Sequence, residues 1–198
     1  MHDAVQRESK NVRENAGILD GSTLGKIEIK GEDALEFMNL IYTNSFTKMK
    51  QGSARYALML GEDGMVKDDG IICKISDQHF IATTTTGGAA TVLGCMEEYA
   101  QTEWPNLKVF MNSITEQYAT FNISGPNTRE IMKKVFPDIN FSNDEFPFMT
   151  FQFHEFNGVP IRILRASFTG ELGYEIYIPS NSALKIWESI QSFGKEFG

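Results

Sequence analysis

Two successive aspartates, Asp68 and Asp69, are the first residues here that can act as a base or as a fixed negative charge. They lie in a strand pattern that continues as an apolar run, residues 71–73. Because neighbouring residues of a strand face opposite sides, one carboxylate should point to solvent or a turn and the other toward the covered face of the sheet. Carboxylates are seldom buried without a partner or a task. Two solvated acids on an edge strand would explain the same spacing without any function.

A glycine-containing run, residues 165–175, is the second candidate site. Its glycines let the backbone turn tightly and approach a flat ligand. Phe168 can stack on a ring, and Glu171 or Glu175 can accept hydrogen bonds from N–H groups of that ring. A plain loop before a strand that ends at Pro179 explains the same residues. A row of four threonines, 83–86, has the same ambiguity, since threonine favours strands anyway.

The elements that carry these residues alternate between runs of strands and single helices. We predict strands at 26–30, 56–60, 65–75, 79–86, 118–123, 149–156, 159–168 and 174–178, and helices at 1–16, 34–41, 89–99, 128–135 and 182–190. Runs of strands separated by helices favour an α+β class of mostly antiparallel sheets with flanking helices over a doubly wound parallel sheet.

Composition and charge narrow the function classes. The net charge of -8 argues against nucleic-acid binding, which usually needs a basic face. No apolar run reaches the length of a membrane span and no signal sequence follows Met1, so we predict a cytoplasmic protein with no membrane partner. Cys73, Cys95 and the three histidines show no zinc spacing, and we predict no metal site. Gly87-Gly88 lacks the third glycine of a dinucleotide fingerprint.

Taken in order, these stretches resemble the glycine-cleavage aminomethyltransferase family. Residues 165–175 resemble its pterin-binding signature, Asp68-Asp69 its aspartate pair, and residues 124–127 its glycine–proline turn before a helix. The threonine row and residues 102–105 look more specifically like the large (alpha) subunit of heterotetrameric sarcosine oxidase. The resemblance runs along essentially the whole chain.

The resemblance implies a folate site and assigns roles to single residues. Asp69 takes the place of the family's catalytic aspartate, and Tyr56 and Leu24 take the places of residues that line the folate pocket. Asp68 then faces away, and Asp68→Asn should be close to neutral if that side chain is solvated.

Three further positions complete the implied folate contacts. Glu175 stands at the glutamate that reads the amino and ring N–H groups of the pterin. Phe168 occupies the position of a tyrosine in the family, so the aromatic ring face is kept and the hydroxyl is lost. Thr84 occupies the position of an asparagine in the family, and this departure weakens the expected contact of that position with folate.

The activity implied by the resemblance is the tetrahydrofolate-dependent part of a sarcosine oxidase. It would capture the imine formed from sarcosine and give glycine and methylenetetrahydrofolate. FAD or FMN and NAD would bind to other segments or to the other sarcosine oxidase subunits, which are the expected partners. The alternatives are a stand-alone aminomethyltransferase or demethylase, a non-catalytic folate-binding domain, and a plain structural domain.

The resemblance also implies a domain organisation. Residues 1–198 would form one folate-binding region of two interlocked α+β subdomains. Members of the family continue into a C-terminal barrel-like domain, and the oxidase subunit carries a dinucleotide-binding portion before this region. We therefore expect a truncated fragment, which need not be active alone.

Overall fold

The computed structural model describes residues 2–198, which divide into two compact units. Thr23–Glu116 form one unit, called here the inserted unit. The described residues before Thr23, together with Gln117–Gly198, form the second, called here the discontinuous unit. Each unit combines one five-stranded antiparallel sheet with α-helices.

The elements follow one another along the chain as α1 (His2–Glu14), β1 (Gly17–Asp20), β2 (Gly25–Lys30), α2 (Ala34–Ile41), β3 (Ala54–Leu60), β4 (Val66–Ser76), β5 (His79–Thr84), α3 (Ala89–Thr102), β6 (Phe110–Ser113), β7 (Tyr118–Ser124), α4 (Thr128–Val135), β8 (Phe151–Phe156), β9 (Val159–Leu164), β10 (Gly173–Pro179) and α5 (Ala183–Gly194).

The sheet of the inserted unit has the strand order β3-β4-β5-β2-β6. Alternate residues of its strands form an apolar face, which includes Ile27, Ile29 and Phe80. Helices α2 and α3 cover that face with Phe37 and Met96, both fully buried. The hydrophobic effect thus fixes which face of the sheet carries the helices.

The sheet of the discontinuous unit has the order β1-β7-β10-β9-β8. Phe121 and Ile123 on β7 and Ile176 on β10 form its apolar face. The core is completed by residues of the helices α4 and α5, such as Ile131 and Ile186. The alternate residues of the same strands form a second face, which is polar and largely buried.

The predicted α+β class with antiparallel sheets is confirmed. Every predicted helix and strand has a counterpart, but β1 and β6 were not predicted, because their four residues are too short for a periodic pattern. The strand predicted to run to residue 168 ends at Leu164, and the following residues form a loop. Among residues 2–198, no helix is both long and apolar enough to cross a bilayer.

Gly70 on β4 and Gly94 in α3 give a matched test of the inserted unit. A Cβ atom on Gly70 would lie 1.8 Å from the backbone oxygen of Thr83, so we expect Gly70→Ala to lower the free energy of unfolding. Overpacking of this kind costs about 1–3 kcal/mol, and more when backbone must move. Gly94 is exposed with open space around it, and Gly94→Ala should stabilise the helix by about 0.5–1 kcal/mol. Urea unfolding of both variants is the measurement; equal stabilities would contradict the close approach of β4 and β5.

Candidate functional site

Asp69 and Tyr56 form a hydrogen-bonded pair on the sheet face of the inserted unit that points away from its apolar core. Tyr56 pairs with Ile71 in the ladder and Asp69 with Leu58, so both lie on the same face of adjacent strands. The Tyr56 hydroxyl donates to Oδ2 of Asp69 over 2.9 Å. The bond to a charged acceptor raises the pKa of Tyr56. Tyr56 remains about half exposed and Asp69 is partly exposed, so a ligand can reach both.

Asp68 occupies the opposite face and is not solvated. It pairs with Met59, a residue of the apolar core, and is only 6% exposed. Its carboxylate accepts a hydrogen bond from the backbone N–H of Thr85, and a Cβ on Gly88 would lie 2.5 Å from it. Burial, followed by the charge of Asp68, raises the pKa of Tyr42. The predicted alternation is confirmed, but the condition for a neutral Asp68→Asn fails because Asp68 is buried.

Thr84 does not join Tyr56 and Asp69. It pairs with Gly25 in the ladder and therefore lies on the face that carries the apolar core. It is 3% exposed, and its hydroxyl donates to the backbone oxygen of Thr85. Thr83 faces the Asp69 side, where its hydroxyl accepts the N–H of Ile71 over 2.8 Å.

In the same unit, Leu24 immediately precedes β2 and Lys26 is the second residue of that strand. Leu24 is half-buried, and its backbone oxygen accepts a hydrogen bond from Nζ of Lys26 over 2.9 Å. Lys26 is fully buried, although charged and apolar residues alternate along β2 as in a half-buried strand. Sequence reasoning missed this residue, because alternation does not reveal whether the second face of a sheet is covered.

Glu175 lies on the polar face of the discontinuous unit and is 9% exposed. The hydroxyl of Tyr177 donates to its Oε2 over 2.5 Å. The guanidinium of Arg162, a residue on the neighbouring strand β9, lies 4.1 Å from the centre of the Tyr177 ring. This stack orients Tyr177, which in turn orients Glu175. Neither Arg162 nor Tyr177 was singled out from the sequence, because their roles depend on cross-strand register.

The loop that follows Leu164 is held by its own hydrogen bonds and by α1. Nη1 of Arg13 donates to the backbone oxygen of Thr169 and forms an ion pair of 3.0 Å with Glu171. Glu171 was one of two glutamates predicted to accept hydrogen bonds from a ring, and in the structure it is paired with Arg13. Phe168 lies in the same loop with 78% of its surface exposed, so its ring face is open to a ligand.

A cleft of about 600 Å³ opens beside that loop, within the discontinuous unit. Residues of α1 and β1 form one wall, and Phe168, Thr169, Asn122 and Ser124 also line it. Asn122 was not predicted as a site residue. It pairs with Glu175 across β7 and β10, and this register is the signal that was missing from the sequence.

The candidate residues thus form two groups, each described within its own unit. Tyr56 and Asp69 meet on the inserted unit, with Thr84 on the other face of the sheet. Glu175 and Phe168 belong to the discontinuous unit, where Asn122 is the ladder partner of Glu175 and lines the same cleft as Phe168.

A family model described as the GCVT N-terminal domain matches residues 1–198. The chain belongs to this family. The chain is 51% identical to the sarcosine oxidase subunit alpha of Corynebacterium sp. strain P-1. The alignment of 198 residues covers all of this chain and 20% of that protein. The chain is 30% identical to the aminomethyltransferase of Thermoanaerobacter pseudethanolicus, covering 99% of this chain and 52% of that protein.

The fold of this GCVT N-terminal domain matches a solved structure as well. Aminomethyltransferase T of the glycine cleavage system from Bartonella henselae superimposes with a TM-score of 0.81 and 23% identity, covering 94% of this chain and 48% of that one. The chain therefore spans a fifth of its oxidase relative and about half of its aminomethyltransferase relatives. The resemblance given by the motifs is confirmed.

The two aspartates of this GCVT N-terminal domain should affect different properties. Asp69→Ala should lower the pKa of Tyr56 toward its ordinary value, because the charged acceptor is lost. Asp68→Ala should leave that pKa unchanged and lower the free energy of unfolding by about 1 kcal/mol, because Thr85 loses its acceptor. Alkaline titration of Tyr56 followed by NMR, with urea unfolding of each variant, separates the two effects. A shift of Tyr56 in the Asp68 variant alone would reverse the assignment.

Proposed function

We propose that this chain binds tetrahydrofolate and forms the one-carbon-transfer part of a sarcosine oxidase alpha subunit. The observation that carries the proposal is the 51% identity to such a subunit along the whole chain. The motif residues support it, because Glu175, Phe168, Tyr56 and Asp69 offer a buried acceptor, an open ring face and a hydrogen-bonded acid. The other subunits of the oxidase are the proposed partners, and the name of the relative, subunit alpha, supports this.

The chemistry of the side chains fits a reduced pterin. A pterin presents neighbouring N–H donors, and Glu175 is a carboxylate that accepts such donors on a buried face. Oε2 of Glu175 accepts a hydrogen bond from Tyr177, which fixes the orientation of the carboxylate. Phe168 offers its ring face to the flat ligand. Tetrahydrofolate, when bound, would supply the amine nitrogen that takes up the one-carbon unit.

Asp69 is proposed as the catalytic residue. The reaction needs a fixed negative charge near the cation that develops on the imine carbon, and an acceptor that orients the attacking amine. The Tyr56 hydroxyl holds the Asp69 carboxylate in one orientation. Because this donor is neutral, it does not cancel the negative charge of the carboxylate. Leu24 is proposed as an apolar pocket residue. Thr84 stays a candidate with less support, since its hydroxyl is committed to the Thr85 backbone.

A second candidate function, a stand-alone aminomethyltransferase, is favoured by the 30% identity to such an enzyme. The two functions differ in the donor of the one-carbon unit, which in the oxidase is the imine of sarcosine, with glycine as the leaving group. Product analysis with each donor therefore separates them.

Glu175→Gln should weaken tetrahydrofolate binding without loss of the fold. The amide keeps one acceptor for Tyr177 but turns N–H donors toward those of the pterin. Hydrogen bonds to charged groups are worth about 1.5–3 kcal/mol, which corresponds to roughly tenfold to a hundredfold in affinity. Titration calorimetry measures the affinity of the wild type and of the variant for tetrahydrofolate, with FAD as the control ligand. A tight FAD complex with no heat from tetrahydrofolate would refute the proposed function.

Asp69→Asn should leave tetrahydrofolate binding intact and slow the transfer. Loss of one such electrostatic group costs about a hundredfold to a thousandfold in rate. In the complete oxidase, with sarcosine as substrate, methylenetetrahydrofolate should fall and released formaldehyde should rise, because the imine is hydrolysed in water. The ratio of these two products is the measurement. An unchanged ratio would show that Asp69 has no part in the transfer.

A further inference from the structure

Asn122 has a buried amide nitrogen for which the structure provides no hydrogen-bond partner. The residue is 8% exposed, and the Ser124 hydroxyl donates to its Oδ1 over 2.6 Å. That bond occupies the oxygen of the amide, so Nδ2 is the group that is left without a partner. Buried polar groups are nearly always paired in folded proteins, so an unpaired donor at a cleft points to a ligand that supplies the acceptor.

The place of Asn122 in the sheet narrows the kind of acceptor. Asn122 and Glu175 are directly opposite each other on β7 and β10, so their side chains leave the same face about 5 Å apart at Cβ. Asn122 also lines the cleft that Phe168 lines. A flat ligand that stacks on Phe168 and binds Glu175 through its N–H groups thus meets a donor beside the carboxylate.

The edge of a pterin matches this pair of groups. The 2-amino group and the N3–H are neighbouring donors, and the 4-oxo group beside them is an acceptor. A carboxylate accepts hydrogen bonds from the two donors, and an amide N–H donates to the 4-oxo oxygen. We propose that Asn122 is a specificity-determining residue that donates Nδ2–H to the 4-oxo oxygen of the bound reduced pterin. This inference rests on the proposed function and adds a residue that the motif resemblance does not supply.

Thr120 provides a matched control on the same strand. It lies two residues from Asn122 on the same face, is 1% exposed, and its hydroxyl is likewise without a partner. Its ladder partner is Tyr177 rather than Glu175, and it does not line the cleft. Thr120→Val keeps the shape of the side chain and removes the hydroxyl.

The test compares two ligands, tetrahydrofolate and its 4-amino counterpart, tetrahydroaminopterin, which carries an amino group at C4 and no hydrogen on N3. Because the wild type and the variants at Asn122 and Thr120 all keep Glu175, the missing N3–H affects each of them alike, and the comparison is made between variants. Asn122→Leu should weaken tetrahydrofolate binding about tenfold or more, because the 4-oxo group loses its donor. Its melting temperature should fall modestly, because the buried Ser124 hydroxyl loses its acceptor, so the affinities are compared at a temperature at which every variant is folded. Thr120→Val should leave both affinities within about twofold, as expected for a change outside the site.

Asn122→Asp gives a readout that does not depend on stability, because both ligands are titrated into the same folded variant. The carboxylate accepts from a 4-amino group and opposes a 4-oxo group, so the affinity ratio should shift by about tenfold or more toward tetrahydroaminopterin. If Asn122→Leu binds tetrahydrofolate like the wild type while Glu175→Gln weakens it, this inference is overturned and the proposed function stands. If the wild type binds no tetrahydrofolate, both are overturned.

Discussion

The side-chain alternation of an antiparallel strand governs where function can lie in this chain. Each sheet commits one face to an apolar core, as Ile123 on β7 and Ile72 on β4 show. Only the alternate residues remain for a ligand. A shift of register by one residue would exchange Asn122 for Ile123 and Asp69 for Asp68. The hydrophobic core therefore fixes which of two adjacent side chains is available for chemistry.

The polar face of the discontinuous unit has to compensate for buried charge. Glu175 and Arg162 are both buried, and an isolated buried charge is costly. Tyr177 lies between them, with its hydroxyl on the carboxylate and its ring under the guanidinium. Such a chain of contacts fixes side-chain orientation more firmly than it stabilises the fold, since desolvation offsets much of the attraction. An oriented carboxylate is the property that ligand recognition requires.

The sequence predicts the elements better than the environments of their residues. Periodicity placed the helix at Thr128–Val135 and the strands around Glu175, because both patterns depend only on local spacing. Burial of Lys26 and Asp68 was not predictable in this way. It depends on what covers a face of the sheet, and on a turn that places Thr85 against Asp68. The pairing of Asn122 with Glu175 joins residues 53 positions apart, and no local pattern encodes it.

Fold similarity and residue identity carry different information about the reaction. The match to aminomethyltransferase T at 23% identity establishes a shared fold, and one fold serves many reactions. What distinguishes a transfer site from a scaffold is the chemistry on the second faces of the sheets. On those faces, Tyr56 is bonded to Asp69 and Glu175 is bonded to Tyr177, whereas Glu171 lies in a loop and is paired with Arg13. Of the two glutamates in the 165–175 run, Glu171 is ion-paired in the loop, and Glu175 is held by Tyr177 on the buried face of the sheet.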